Sequence, residues 1–201
     1  MDAHDWDERY RERDLVWSAD PNAFVEQEVV DLSPGRALDL AAGEGRNAIW
    51  LAEQGWRVEA VEFSPVAIDK GRRLAAHAGV EVDWTLADLT THPDLDPADL
   101  VLLVYLHLRQ PDADEVLRHA AALVRPGGVL LVLGHARRNL TEGYGGPPDP
   151  AVLSEPEEVA EVLSRAGLEI ERAEEVLRTA KTEDGPREAI DLLVRARSVP
   201  G

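Results

Sequence analysis

Two glycines and an acid set the first chemical expectation for this chain. Gly43 and Gly45 stand in Leu40-Ala41-Ala42-Gly43-Glu44-Gly45-Arg46-Asn47, where a short apolar run passes directly into a helical pattern. A backbone without Cβ atoms can come close to a ligand at such a junction. Glu62 follows Gly43 by 19 residues, at the end of the next apolar run. A carboxylate there offers two oxygens to the cis-diol of a ribose, and Phe63 beside it is placed to pack on an adenine face. Together these residues predict an adenosine-containing cofactor. From Gly43 onward the residues Gly-Glu-Gly-Arg-Asn-Ala also match the dinucleotide fingerprint G-x-G-x-x-A, so an NAD-linked oxidoreductase stays open at this point. Arg46 and Asn47 open the helical pattern. Its N-terminus attracts a carboxylate through the dipole and the free N–H groups, and Arg46 adds a charge-assisted partner.

A second group of residues suits acceptor chemistry. His107 follows the apolar run 100–106, and His135 follows the run 129–134. If these runs are neighbouring parallel strands, roughly 5 Å apart, both imidazoles lie at the carboxyl ends where such sheets bind ligands. An imidazole there can orient a substrate or take its proton near neutral pH. Tyr105 and Arg137 are close in sequence and complete the predicted catalytic set, while Arg137 with Arg138 suits an anionic acceptor. Two imidazoles and a carboxylate can also hold a divalent ion, but no close His-x-x-His-type spacing supports that, and no metal ligand is assigned.

The elements that must position these residues alternate. Strand-like runs fall at 37–41, 57–62, 80–84, 100–105, 129–134, 168–175 and 189–196, and helical patterns at 46–54, 65–77, 112–124 and 156–166. Ser64-Pro65 is a good helix start, with Ser as the N-cap and Pro at the first helical position. Such alternation predicts an α/β fold with a mostly parallel sheet and helices on both faces, a three-layer sandwich. The runs 100–106 and 129–133 are apolar throughout, as in central strands covered on both sides. The last two strands have no helix between them and read as a hairpin that brings in one antiparallel strand. Residues 5–14 read as a charged helix that must dock through Trp6 and Tyr10, and 22–32 as a short amphipathic helix. Residues 139–153 read as the longest loop, of a length that often binds or covers ligands. Trp50, Trp56 and Trp84 fall on helix or strand patterns and read as packing residues.

Composition narrows the class. A chain of 201 residues predicts a single domain over 1–201, with 1–33 as an N-terminal helical cap segment and 36–198 as the core. There are no cysteines, so disulfides and thiolate metal sites are excluded. The formal charge of −18 makes a nucleic acid or an anionic membrane a poor partner. The acidic, polar start and the lack of a long apolar run give no secretory signal or membrane span, and a cytoplasmic location is expected. The sequence leaves monomer or homodimer open.

Read from Asp39, the glycine loop is Asp-x-Ala-x-Gly-x-Gly. This resembles motif I of the class I, Rossmann-like S-adenosylmethionine-dependent methyltransferases, with Ala41 in place of the usual first glycine. Ala87-Asp88-Leu89 after the third strand, Val124-Arg125-Pro126-Gly127-Gly128 before the fifth, and the strand-paired tail are similar to the same family. Trp6-Asp7-Glu8-Arg9-Tyr10, Trp17, Gly43-Glu44-Gly45-Arg46-Asn47 and Gly134-His135-Ala136-Arg137-Arg138-Asn139-Leu140 resemble the small bacterial tellurite-resistance and thiopurine methyltransferase-like group. The resemblance implies seven strands in the order 3-2-1-4-5-7-6 with the last antiparallel. It also implies S-adenosylmethionine as cofactor, S-adenosylhomocysteine as product, and in-line methyl transfer to a small molecule through N, S, O or a chalcogen. Asp39 is then implied at the amino-acid end of the cofactor and Asp88 with Leu89 at the adenine. Ala41, Gly43, Gly45, Arg46, Asn47, Glu62, Phe63, Ser64 and Tyr105 line the cofactor, with Tyr10 and Trp17 closing over it. A non-catalytic binder of the same cofactor is the remaining alternative.

Overall fold

The computed structural model describes residues 3–12, 15–16, 20–182 and 185–199. Among them a seven-stranded sheet runs in the order β3-β2-β1-β4-β5-β7-β6, as expected. The strands are β1 (Arg36–Leu40), β2 (Arg57–Glu62), β3 (Asp83–Leu86), β4 (Ala98–Val104), β5 (Val124–His135), β6 (Leu168–Thr182) and β7 (Gly185–Ser198). The helices are α1 (Ala3–Arg11), α2 (Ala23–Val29), α3 (Arg46–Glu53), α4 (Pro65–Ala78), α5 (Asp112–Ala122), α6 (Asn139–Glu142) and α7 (Pro156–Arg165). The chain divides into two compact units, Met1–Leu102 and Leu103–Gly201.

In the first unit β1 pairs parallel with β2, and β2 with β3. Leu38, Leu40, Ala60 and Val61 are buried, so these strands supply the core on which α3 and α4 pack. The predicted start of α4 is found: Ser64 Oγ accepts from the Ala67 N–H at 3.2 Å, and Pro65 follows it. Gly79, at a φ of +74°, ends the same helix in the left-handed conformation that glycine adopts without strain.

In the second unit β7 is antiparallel to both β5 and β6. The hairpin is longer than its apolar alternation predicts, because pairing continues to Thr182 and Gly185. Its far end is rich in charge and lacks the period-2 apolar signal of a half-buried strand. Glu169, Glu171, Arg172, Glu174 and Glu175 put charge along β6, the edge strand, as is common where natural sheets end. Two expectations need correction. The Pro126-Gly127-Gly128 turn lies within the bounds of β5, where Gly127 has a φ of +78° and pairing with β7 begins at Val129. The stretch 139–153 contains α6 and a 3-10 turn over Pro150–Val152, elements too short to leave a periodic signal. No helix among the described residues is long and apolar enough to cross a membrane.

Candidate functional site

The junction after β1 is built on left-handed backbone. Ala41, Gly43 and Gly45 have φ values of +58°, +58° and +79°. Alternating left-handed residues turn the chain sharply, and hydrogen bonds fix the result. The Ala42 N–H donates to the Val61 carbonyl at 3.1 Å, and the Gly45 N–H to the Ala42 carbonyl at 3.0 Å. Gly45 serves packing as well as conformation. A Cβ there would lie 2.4 Å from Cη2 of Trp84, and one at Gly71 of α4 would lie 2.1 Å from the same atom. Trp84 therefore wedges its ring between the loop and α4, and the space freed at Gly45 belongs to the indole.

Two buried acids face this loop. Glu62 Oε2 accepts from the Gly43 N–H at 2.9 Å, and Oε1 from the Ser64 N–H at 3.0 Å, with a further bond from the Phe63 N–H. Burial raises the Glu62 carboxyl above its ordinary range, while these N–H bonds pull it back down. Three of its roughly four lone-pair sites are thus taken, one of them by the loop. Asp39 is 1 % exposed, and its Oδ2 is buried without a hydrogen-bond partner. Burial pushes its carboxyl up to about 7, against the opposing pull of the Ala48 N–H and the Arg46 charge. A buried carboxylate oxygen left unpaired costs free energy unless a ligand satisfies it.

The N-terminal segment is fastened at three points: to Glu44 in this loop, to Asn47 of α3 and to Ser64 after β2. Glu44 Oε2 accepts from the Val16 N–H at 2.9 Å, and Oε1 lies 3.2 Å from Lys70 Nζ. Asn47 Oδ1 accepts from the Asn22 N–H at 2.9 Å, and Asn22 caps α2 in turn. Ser64 Oγ donates to Asp7 of α1. Tyr10 is buried beside Trp6, with ring centroids 5.6 Å apart. Trp17, expected with Tyr10 over the cofactor, lies outside the described residues.

In the second unit, Tyr105, His107 and His135 come together as expected. The two imidazoles stack with centroids 5.4 Å apart and planes 13° apart. The Tyr105 ring lies 5.0 Å from that of His135. His107 Nε2 accepts from the backbone N–H of His135 at 3.4 Å. The ring also donates to the Tyr105 carbonyl; with Nε2 accepting, that donor is Nδ1. Burial and the neighbouring His135 lower its pKa to about 4. His107 is therefore a neutral ring with both nitrogens engaged. His135 Nδ1 lies 3.0 Å from Asp191 Oδ1, close but without the alignment of a full hydrogen bond. Tyr105 Oη donates to Asp191 Oδ2 at 2.5 Å, and Arg178 Nε donates to the same oxygen at 2.6 Å.

The family model described as "Methyltransferase domain" matches residues 37–128, from β1 into the start of β5. The fold is that of the class I methyltransferases. TehB from Haemophilus influenzae has a TM-score of 0.74 at 17% identity, over 89% of this chain and 62% of that one. The N-methyltransferase NodS from Bradyrhizobium japonicum, in complex with S-adenosylhomocysteine, has a TM-score of 0.74 at 16% identity, over 98% and 99%. The methyltransferase GfsG from Streptomyces halstedii is 33% identical over 110 residues, 52% of this chain and 40% of that protein. The chain spans 38–40% of the length of the first curated relatives that it matches.

Within this methyltransferase fold the predicted residues divide. Asp39, Ala41, Gly43, Gly45, Arg46, Asn47, Glu62, Phe63 and Ser64 all sit at or beside the junctions after β1 and β2. Asp88 is exposed and accepts from the N–H and the hydroxyl of Thr90, so in this structure it caps a turn over Leu89–Thr91, of which Leu89 is buried. Arg137 is held by Glu158 at 2.7 Å and by the Leu153 carbonyl at 3.2 Å; Arg138 is held by Glu175 at 2.5 Å. Both arginines thus pair with acids and are not gathered with the histidines. Sequence reasoning missed Asp191, Arg178 and Asn139. Asn139 is buried, accepts from the Ile190 N–H at 2.7 Å and donates to the Gly145 carbonyl at 2.8 Å.

Proposed function

We propose that this chain transfers a methyl group from S-adenosylmethionine to a small-molecule acceptor. The observation that carries the reading is Asp39, a buried carboxylate with one oxygen unpartnered, at a junction of three left-handed residues. Such an oxygen suits the ammonium of an amino-acid end. The same donor set fits the rest of the cofactor: Glu62 retains lone-pair capacity for a ribose hydroxyl, Phe63 lies next to it, and the N-terminus of α3 with Arg46 suits a carboxylate. When bound, the cofactor supplies an electrophilic methyl group. The chain's own task is then to hold and orient the acceptor, the larger share of the work in a displacement. The cluster of Tyr105, His107 and His135 is the part of the second unit with the polar groups for it. The net charge of −18 favours a small molecule over nucleic acid.

Calorimetry with S-adenosylhomocysteine and with NAD tests the donor. The homocysteine compound is expected to bind and NAD to give no heat. Binding of NAD alone overturns the reading in favour of a dinucleotide enzyme.

A further inference from the structure

We infer that Asp191, itself held by Tyr105 and Arg178, is a positioning residue. It fixes His135 with its proton on Nδ1 and its Nε2 bare, so that His135 takes the proton of an acceptor bearing an O–H or N–H group. The inference rests on the methyltransferase reading and names the acceptor class for it.

Asp191 is 0 % exposed, in the middle of the buried run Ala189-Ile190-Asp191-Leu192-Leu193-Val194. In the antiparallel register it stands directly opposite His135, which brings Oδ1 within 3.0 Å of Nδ1. An acid in such a run is costly unless it is paired and hydrogen-bonded. Here Tyr105 Oη and Arg178 Nε both donate to Oδ2, and Arg178 Nη2 stands 3.5 Å from Oδ1. Burial alone would raise the Asp191 carboxyl, but the close His135 ring and the bonds from Arg178 and Tyr105 outweigh it and hold the group below its ordinary range. An ionised acceptor beside Nδ1 keeps the imidazole proton on that nitrogen, as a buried aspartate does for a catalytic histidine in other enzymes.

The surroundings leave the other nitrogen bare. Among the described residues no hydrogen bond reaches His135 Nε2, whereas His107 has both nitrogens engaged. The groups facing the His135 ring are Tyr105 and His107 after β4 and Asp191 on β7, with Arg178 on β6 acting through Asp191. The loop after α6 brings Gly146 against the ring: a Cβ there would lie 2.8 Å from His135 Cδ2 and 3.2 Å from Nε2. The loop backbone at Gly146 thus packs closely on the ring. Asn139 ties that loop to β7 one residue before Asp191.

The step is a proton transfer. The O–H or N–H bond of the acceptor breaks, its electron pair stays on the heteroatom, and the proton bonds to Nε2. The imidazolium so formed faces the Asp191 carboxylate on its other side and returns the proton to solvent. A thiolate or hydroselenide arrives already ionised and needs no such group, so this arrangement points to an oxygen or nitrogen acid.

The test is nitrogen-15 NMR of the histidine rings of the whole chain, at a pH where His135 is neutral. The wild-type spectrum is expected to show the proton of His135 on Nδ1 and an unprotonated Nε2. Asp191→Asn is expected to shift the neutral ring toward the Nε2–H tautomer, the wrong tautomer that loss of the aspartate gives in the serine-protease triad. Diethyl pyrocarbonate, read by mass spectrometry on wild type, is expected to modify His135 and spare His107. A wild-type proton on Nε2, an unmoved tautomer in a folded Asp191→Asn protein, or modification of His107 in preference to His135 overturns the inference. The wild-type measurements decide alone if the variant does not fold. S-Adenosylhomocysteine calorimetry on the same samples keeps the two readings apart. Loss of binding in wild type refutes the donor, whereas the tautomer reports on Asp191.

Discussion

Replacing Asp39 by Asn separates what the buried acid costs the ligand-free protein from what it gives to binding. The carboxyl is moved from 3.8 to about 7, chiefly by burial. About three pH units at 1.36 kcal/mol each amount to ~4 kcal/mol of native stability. The sign follows from linkage. The unfolded chain releases this proton near 3.8, while the native state keeps it until about 7. Between those values the native state binds more protons, so stability falls as pH rises and the loss is complete above about 7. An amide carries no such penalty, but its NH₂ group in place of Oδ2 is buried without a partner, at about 1–3 kcal/mol. Its carbonyl can still accept from Ala48. Asp39→Asn is therefore expected to be less stable than wild type at pH 4. By pH 8 the difference swings by about 4 kcal/mol in its favour, and the amide penalty cancels from that swing. Urea unfolding followed by the fluorescence of the five tryptophans measures both ends. S-Adenosylhomocysteine binding is expected to weaken by at least tenfold, about 1.4 kcal/mol, as a charged partner is lost. A stability difference that does not change between pH 4 and pH 8 refutes the argument, because Asp39 would then have the same protonation in both states.

The other predictions concern the backbone of the same loop and the second histidine. Ala41→Gly relieves a left-handed alanine at φ +58° and is expected to stabilise the fold by up to about 1 kcal/mol, seen as a rise in Tm of a few degrees. Gly45→Ala does the opposite. It adds a Cβ at φ +79° and 2.4 Å from the Trp84 ring, with an expected cost of about 2–4 kcal/mol that Trp84→Phe partly restores. An unchanged Tm in Gly45→Ala would mean that the indole does not fill this space. His107, lowered to about 4, binds fewer protons in the native state than in the unfolded one between about 4 and 6.5, so it costs the fold stability as pH falls through that range. Its ring resonances are expected to show no titration down to pH 5, and His107→Gln to flatten the acid limb of the stability curve.

The alternation of strands and helices and the glycine loop were legible because both follow from period and punctuation, whereas the strand order came only with the resemblance to the methyltransferase family. Asp39, Gly43, Gly45 and Glu62 lie where an apolar strand ends and small residues begin, and the structure brings them together. The roles of Glu44 and Asn47 were not legible. Their partners, Val16 and Asn22, are backbone N–H groups of a segment whose docking is a tertiary event, and a backbone donor leaves no mark in the sequence. Arg137 and Arg138, read as acceptor-holding, pair with acids in this structure, and an arginine beside a predicted site carries no sign of which acid will claim it. Glu155, Glu158 and Glu175 do so here.

Asp191 is a different case, since its signal was present. Central strands covered on both faces are apolar throughout, and a lone acid within Ala-Ile-Asp-Leu-Leu-Val is anomalous on physical grounds alone. A buried carboxylate must find charge or hydrogen bonds. In an antiparallel tail its direct neighbour lies on the strand it pairs with, here the one that ends at His135. Arg178, thirteen residues earlier across the hairpin, could not be chosen from the sequence among the arginines of the tail. Its register with β7 decides it: Val176 stands opposite Asp191, so Arg178, two residues further along β6, shares its face within diagonal reach. An acid that the fold cannot leave alone, set opposite a histidine where β5 ends, thus ties the hairpin to the ring that we infer it positions.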